Sequence, residues 1–320
     1  MGRLRRGQIA VVTALALPAL LGSVALGTDV SIHYYNWVQL QKGVDAAVLA
    51  GANYLPEQPD VATTVAQNYA NLNAIQPSEI VSTTVSPDDQ TITMQARRTV
   101  PYYFARVLGL TSGLVQAAAT AEVTYPPGSI GVPPGGSGGS GGYYGSSVGQ
   151  FGLVPIGVDY NTPYSYNEPV TLNYDQVGPG NWGSLGLGSP GGAVLRQNIA
   201  DGYYGPIAVG DWVPTKPGKS TGPIDQGFND RMSAGLSSDP SGTFSSHALN
   251  DPRVIFVPMV NWESPNGESY VEVMGFAALW VDSVSGGQIF THFIGQVAPN
   301  SLPNPDAPYY GAKGPPLLIK

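Results

Sequence analysis

The sequence predicts an α+β protein with a long N-terminal transmembrane helix, a small α+β domain and a β-rich domain that ends in an antiparallel meander. Three observations support this fold class. A basic start precedes a long uncharged stretch, 42 Gly and 29 Pro among 320 residues argue against a helical bundle, and apolar runs of strand length, separated by turn residues, end the chain. We expect four segments: residues 1–55 (transmembrane and continuing helix), 56–125 (α+β domain), 126–142 (Gly/Pro/Ser linker) and 143–320 (β-rich domain).

The composition excludes several classes of function. The chain has 14 basic and 22 acidic residues and therefore a net charge of -8, which argues against binding to nucleic-acid phosphates. It contains no cysteine, so disulfides, Cys-ligated zinc, iron–sulfur clusters and thiol catalysis are excluded. We predict no cofactor, no metal and no nucleic-acid partner.

The first residues predict a membrane anchor. Arg3, Arg5 and Arg6 precede an uncharged run at residues 9–27, which ends at Asp29. A helix needs about 20 apolar residues to cross a bilayer, and arginines before such a run favour a cytoplasmic N-terminus. We therefore expect a single-pass protein of the inner membrane, with residues 29–320 on the periplasmic or extracellular side.

The anchor is expected to continue as one helix beyond the membrane. Apolar residues recur at three- and four-residue steps, and no proline interrupts them until Pro56. Tyr34 and Trp37 follow the apolar run, where amphipathic aromatic side chains favour the headgroup layer. Pro18 lies inside the run, and membrane helices tolerate proline.

A stripe of small residues in the anchor predicts a helix-packing face. Ala19, Ser23 and Gly27 repeat at four-residue spacing, a pattern that allows two membrane helices to approach closely. The sequence therefore predicts self-association through the N-terminal helix as one possible interaction.

Two other interpretations of the N-terminus stay open. A cleaved secretory signal has the same basic start, and Ala25 and Gly27 are small residues at the positions that a signal peptidase reads. A prepilin-type leader would be cut after Gly7, although Val12 stands where such substrates usually carry a carboxylate.

The N-terminal segment carries short motifs in a characteristic order. They are RGQIA at residues 6–10, ALALP at 14–18, LLG at 20–22, Asp29, LQ at 40–41 and DAAVLA at 45–50. This segment resembles the N-terminal segment of TadG-like and TadE-like proteins of the tight-adherence (Flp) pilus machinery. The resemblance implies a bacterial inner-membrane protein with an extracytoplasmic body, whose partners are other envelope proteins of pilus assembly.

Larger members of that family carry a von Willebrand A-type domain, whose metal site uses an Asp-x-Ser-x-Ser loop after a buried strand. The nearest string here is DPSGT at residues 239–243, and it follows a Gly- and Ser-rich stretch without an apolar strand. We interpret this string as a turn, so only the anchor segment and the small domain after it follow the family pattern.

The small domain is predicted from local patterns. Val61, Val65, Tyr69 and Leu72 are at helical spacing, and strands are expected at residues 80–85 and 91–100 around a Pro-Asp-Asp turn. We expect a second helix from Pro101 to about residue 118 and a third strand at 121–125.

In the β-rich domain we expect helices at residues 193–200 and 224–236. The meander is predicted from strand-length runs at residues 254–262, 270–281 and 288–297.

Several strings imitate catalytic motifs without the required context. GGSGG at residues 138–142 fits Gly-x-Ser-x-Gly but lies in the linker, without the strand-to-helix turn that exposes a nucleophile. GLGSPG at 186–191 fits the dinucleotide pattern but follows no apolar strand. The Gly-Lys-Ser string at 218–220 resembles the end of a phosphate-binding loop, but Val213 replaces its first glycine.

The remaining polar residues also select no reaction. His33, His247 and His292 lack second ligands at metal-binding spacing, and the carboxylates of Glu263 and Glu268 flank a predicted hairpin tip. The 18 tyrosines are the one surplus that suits a recognition surface. We therefore predict a non-enzymatic scaffold or binding protein of pilus assembly. The alternatives are an exported hydrolase of cell-wall or matrix polymers and a processed pilin-like subunit.

Overall fold

The computed structural model describes residues 4–131, 153–173, 182–188, 191–203, 205–216, 220–262, 269–298 and 301–319. The chain forms two compact units. The first consists of Met1–Ala52, Gln58–Glu122 and Leu318–Lys320, and the second of Asn53–Glu57 and Val123–Leu317. Long helices, short helices and many antiparallel strands together confirm the α+β class with a β-rich C-terminal part.

The first unit is built on one long helix. α1 (Leu4–Ala52) has 49 residues and continues through Pro18, as the uninterrupted spacing predicts. Its second half is the core of the unit, because four of its apolar side chains are completely buried: Leu40, Val44, Ala47 and Val48.

The second helix packs on α1 through small residues. α2 (Pro59–Leu72) buries Ala62, Ala66 and Ala70. A Cβ added at Gly51 of α1 would lie 2.7 Å from the carbonyl oxygen of Ala62, so the close approach of the two helices requires glycine. The predicted helix is confirmed, but its larger apolar residues, such as Tyr69 and Leu72, face outward.

An antiparallel sheet completes the first unit. β1 (Ile80–Val85) pairs with β2 (Thr91–Pro101), which confirms the predicted hairpin. Ser86 closes the turn by donating its N–H to Thr91 O at 2.9 Å.

The predicted helix from Pro101 to residue 118 is wrong. Only Ala105–Leu108 form one 3-10 turn, and β3 (Ser112–Glu122) follows it. All eleven residues of β3 pair with β2, and four of them at every second position are buried: Val115, Ala117, Ala119 and Ala121. Pairing along the whole strand therefore overrides the helical preference of an alanine-rich segment.

The second unit contains twelve strands and two helices within the described ranges. They are β4 (Pro127–Ile130), β5 (Ile156–Asp159), β6 (Pro169–Asn173), β7 (Trp182–Ser184), α3 (Gly192–Ala200), β8 (Ile207–Ala208), β9 (Trp212–Pro214), α4 (Thr221–Ser238), β10 (Val254–Asn261), β11 (Tyr270–Ser285), β12 (Gln288–Phe293), β13 (Gln296–Val297), β14 (Ser301–Pro303) and β15 (Ala312–Lys313). The last strand of the chain, β16 (Leu317–Ile319), lies beside β3 in the sheet of the first unit.

A seven-stranded sheet forms the centre of the second unit, in the order β6-β12-β11-β10-β5-β7, with β9 beside one end of β11. β10, β11 and β12 are antiparallel neighbours, which confirms the predicted meander. The strand β11 is buried on both faces from Gly275 to Val281. One face of the sheet packs against α3 and α4 through Leu195, Ile199 and Phe228.

Part of the segment predicted as a linker forms a strand. β4, at residues assigned to that linker, pairs with β14 and β8, and Ile130 is buried in the second unit. Residues 132–142 lie outside the described part of the chain. DPSGT at 239–243 forms a turn after α4, where the carboxylate of Asp239 accepts a hydrogen bond from the hydroxyl of Ser241 at 3.1 Å.

Candidate membrane anchor and its junction with the first unit

The first half of α1 exposes its apolar side chains. The helix is long and apolar enough to cross a membrane, and between Val11 and Thr28 no described side chain is buried. The run at residues 9–27 has a length of about 28 Å at about 1.5 Å per residue, close to the roughly 30 Å of a hydrocarbon core. A helix that is apolar on all sides and not covered by protein suits lipid.

The structure describes the predicted anchor residues only in part. Arg3 lies outside the described residues, and Arg5, Arg6 and Ala19 are described in their backbone only. Pro18 lies inside the continuous helix.

Beyond the apolar run, Tyr34 and Trp37 are exposed on α1. Their ring centroids are 5.9 Å apart.

The predicted packing face is open in the described chain. The Ser23 hydroxyl donates to Leu20 O at 2.8 Å within the helix, and a Cβ added at Gly27 would meet no heavy atom within 4 Å. The fold of this chain therefore does not require glycine at this position, in contrast to Gly51.

The first buried residue after the apolar run is a carboxylate. Asp29 is 2% exposed and accepts three backbone hydrogen bonds, from Tyr103 at 2.8 Å, Phe104 at 3.0 Å and Ala105 at 2.7 Å. Hydrogen bonds from N–H groups to an ionised carboxylate are stronger than neutral ones. Asp29 thus attaches the tip between β2 and β3 to α1 at the end of the anchor.

Two further contacts align the β2–β3 hairpin with α1. The His33 ring stacks on Tyr102 with centroids 4.3 Å apart. An added Cβ at Gly113 would lie 2.5 Å from Tyr102 Oη and 2.7 Å from His33 Nε2, so a larger residue at this position would displace one of these two rings. Farther along the helix, Gln41 Nε2 donates to Ala118 O at 3.0 Å. The hairpin therefore runs along α1 with its tip toward the anchor.

The second unit contains a buried polar cluster. Lys313 Nζ lies 2.8 Å from Glu57 Oε2 and also donates to Asn53 O at 3.1 Å. The hydroxyls of Tyr164 and Tyr309 donate to the Glu57 carboxylate as well. The side chains of Lys313 and Glu57 are 1% and 6% exposed, so the cluster holds the 53–57 segment in the second unit and is not open to a substrate.

Burial shifts the pKa values of this cluster. It lowers the pKa of Lys313, against the opposing attraction of the Glu57 carboxylate. It raises the pKa values of Tyr164 and Tyr309, which the negative charge of Glu57 raises further. Groups with shifted pKa values are common at active sites. The enclosure of these three groups, however, indicates a structural role.

Two further polar pairs occur in the described part of the second unit. Arg253 Nη2 lies 2.7 Å from Asp251 Oδ2 in a buried pair, and its guanidinium stacks over Trp280 at 4.5 Å. His292 Nδ1 lies 2.5 Å from Asp282 Oδ2. Among the described residues, no group of three His, Cys, Asp or Glu side chains could hold a metal ion.

The strings that imitate catalytic motifs lie largely outside the described residues. This applies to residues 138–142, 189–190, 217–219 and 263–268, which include Glu263 and Glu268. A surface groove of about 600 Å³ between α3 and α4 contains Arg196 and Asp230, which pair at 3.0 Å.

Two family models match the N-terminal part of the chain. Residues 7–53 match the family described as putative Flp pilus-assembly TadE/G-like, and residues 35–121 match the family described as putative Tad-like Flp pilus-assembly. The matches end within β3 and confirm the resemblance. They support a role in pilus assembly alongside other proteins of that machinery, and they suggest a non-catalytic component with a membrane anchor.

The comparison with curated proteins gave no match, and neither did the comparison with solved structures.

Proposed function

We propose that this protein is a single-pass inner-membrane component of tight-adherence (Flp) pilus assembly, with a non-enzymatic scaffold role outside the membrane. The observation that supports this proposal most directly is that α1 is one continuous helix. Its first part exposes an apolar stretch, and its second part forms the core of the first unit. Anchor and folded unit share one helix, so the distance of the unit from the bilayer is fixed.

The charge distribution supports the orientation. Arg3, Arg5 and Arg6 precede the apolar run, and the remainder of the chain is acidic, because the chain as a whole carries -8. Basic residues next to a spanning helix favour the cytoplasmic side. Both units then lie on the periplasmic or extracellular side.

The scaffold role is supported by where the shifted pKa values occur. In the described chain, the pKa values of Lys313, Tyr164 and Tyr309 are shifted, and all three groups lie in the enclosed cluster. A catalytic group must reach substrate, and this cluster binds its own chain instead. The groove with the Arg196–Asp230 pair is the place where a hydrolase activity would have to be sought, and we expect none on wall polymers.

We further propose that the face of Ala19, Ser23 and Gly27 packs on a second membrane helix. The support is the contrast between Gly51, which the fold requires, and Gly27, beside which the described chain leaves open space. Replacement of Gly27 by Leu should weaken association of the purified protein in detergent, measured by energy transfer between labelled copies. Ala25→Leu places the same final side chain on the opposite side of the helix and should leave association unchanged.

Complementation tests the function. In a strain that lacks the protein, the full chain should restore surface pili. A chain with residues 1–27 replaced by a cleavable secretory signal should be exported but should not restore them. Equal restoration by both chains would show that the anchor is dispensable and would contradict the proposal.

Intact mass of the mature protein separates the processing routes. The proposal requires an uncut N-terminus, whereas loss of residues 1–7 indicates a processed subunit and loss of residues 1–27 a secreted protein.

A further inference from the structure

The tip of the β2–β3 hairpin exposes a concentration of large apolar side chains. Val107 is 90% exposed, and its neighbours are about half exposed or more. These neighbours are Tyr103, Phe104, Leu108 and Leu110. In contrast, Ala105 is buried and anchors the tip to the unit. In the described part of the chain, a cluster of this kind marks a site that meets an apolar environment, such as a membrane or another protein.

The position of the tip identifies that environment. Its backbone is bound to Asp29, the second residue after the apolar run at 9–27. The contact between Gln41 and Ala118 lies about 18 Å farther along α1, at about 1.5 Å per residue. The hairpin therefore points toward the anchor, and its tip lies beside the end of the apolar run of α1.

The backbone of the tip is prepared for a layer poor in water. Six of the N–H groups of residues 103–110 have acceptors within the chain. Three of them bind Asp29, and the other three, those of Val107, Gly109 and Leu110, bind backbone carbonyls at 3.0–3.2 Å. Unsatisfied backbone groups are costly in lipid, so this local bonding removes a barrier to insertion.

We propose that this tip, residues 103–110, inserts into the outer interface of the membrane that α1 spans and gives the first unit a second contact with lipid. This inference rests on the membrane anchoring proposed above. Val107 and Leu108 reach the acyl boundary, and the exposed guanidinium of Arg106 is suited to a lipid phosphate. Two lipid contacts, held together by Asp29, fix the tilt of the first unit on the bilayer.

The chain contains no native cysteine, so a thiol-reactive fluorophore attaches only at a single introduced cysteine. This allows a direct test. Val107→Cys and Leu108→Cys in the full chain are labelled with an environment-sensitive fluorophore and reconstituted into vesicles of phosphatidylethanolamine and phosphatidylglycerol. Lipids with a spin label at different depths serve as quenchers. Two tip positions are used so that one poorly folding variant does not decide the result.

Two matched positions serve as controls. Leu72→Cys is the first control, because the Leu72 side chain is apolar and 79% exposed. It lies far from the anchor: the carbonyl oxygen of the neighbouring Asn73 is 3.3 Å from the Cβ position of Gly43, and Gly43 is about 21 Å beyond Asp29 along α1. Leu20→Cys reports on the anchor itself.

The expected result is quenching at both tip positions that is several-fold stronger than at Leu72, with a depth of about 5–10 Å below the headgroups. If Leu20 is quenched and both tip positions are not, the inference is wrong and the anchor stands. If Leu20 is not quenched either, the proposed anchoring fails and the inference fails with it.

Discussion

Replacement of Lys313 by methionine is expected to destabilise the second unit strongly. The ammonium lies 2.8 Å from Glu57 Oε2 and also donates to two backbone carbonyls, at 3.1 Å and 2.5 Å. Without it the described donors to the buried Glu57 carboxylate are the hydroxyls of Tyr164 and Tyr309. Breaking one partner of a buried pair costs about 3–5 kcal/mol, which is a factor of about 10² to 10⁴ in the ratio of folded to unfolded protein.

The assay is urea and thermal unfolding of the full chain in detergent, followed by the fluorescence of the buried Trp262 and Trp280. For a unit of this size the melting temperature should fall by about 6–20 °C. Lys216→Met, at a half-buried lysine of the same unit, should change stability by less than about 0.5 kcal/mol.

A double variant refines this test. Glu57→Gln combined with Lys313→Met removes both charges and keeps a partner for the tyrosine hydroxyls, so it should recover most of the lost stability. A single Lys313 variant with unchanged unfolding would refute the reasoning, as would a double variant that is no more stable than the single one.

Three further predictions concern the first unit and the anchor. Gly51→Leu should destabilise the first unit by about 1–3 kcal/mol through overpacking, while Gly27→Leu should not, as measured by thermal unfolding with circular dichroism. The hydrogen bond from the Arg98 guanidinium holds the pKa of Glu79 below its ordinary value. Its stabilising effect is therefore present above the unfolded-state pKa of Glu79 and is lost as the pH falls through the folded-state pKa, and Glu79→Gln should flatten this acid dependence in urea unfolding. Leu17→Arg, near the middle of the apolar run, should cost about 3–4 kcal/mol of insertion free energy and shift the protein from the membrane fraction to the soluble fraction.

The elements that sequence predicts well have their signal within their own residues. The spacing in α1, the Pro-Asp-Asp turn after β1 and the three runs of β10, β11 and β12 are local patterns, and all appear in the structure.

β3 shows the limit of such patterns. Its alanines have a high helical preference, and only pairing with β2 along eleven residues makes it a strand. For α2 the larger apolar residues predict the wrong buried face, because the helix approaches α1 closely at Gly51 and buries its alanines there instead.

In the membrane anchor, its junction and the buried polar cluster, local features are also predictable and long-range contacts are not. The apolar run and its end at Asp29 are visible in the sequence, but the donors that Asp29 binds are 74 to 76 residues away. Lys313 and Glu57 are 256 residues apart, and nothing near either residue indicates the pair. The sequence predicts a helix over the apolar tip at Val107, so it gives no indication that these side chains are exposed.

Accessibility of one thiol tests the central claim, that the apolar run of α1 stays in the membrane and the folded units lie outside it. In intact spheroplasts, the Leu72→Cys chain should be found in the membrane fraction and should react with a membrane-impermeant maleimide before lysis. Reaction only after lysis, or recovery of the intact chain in the soluble cell fraction, would contradict the account.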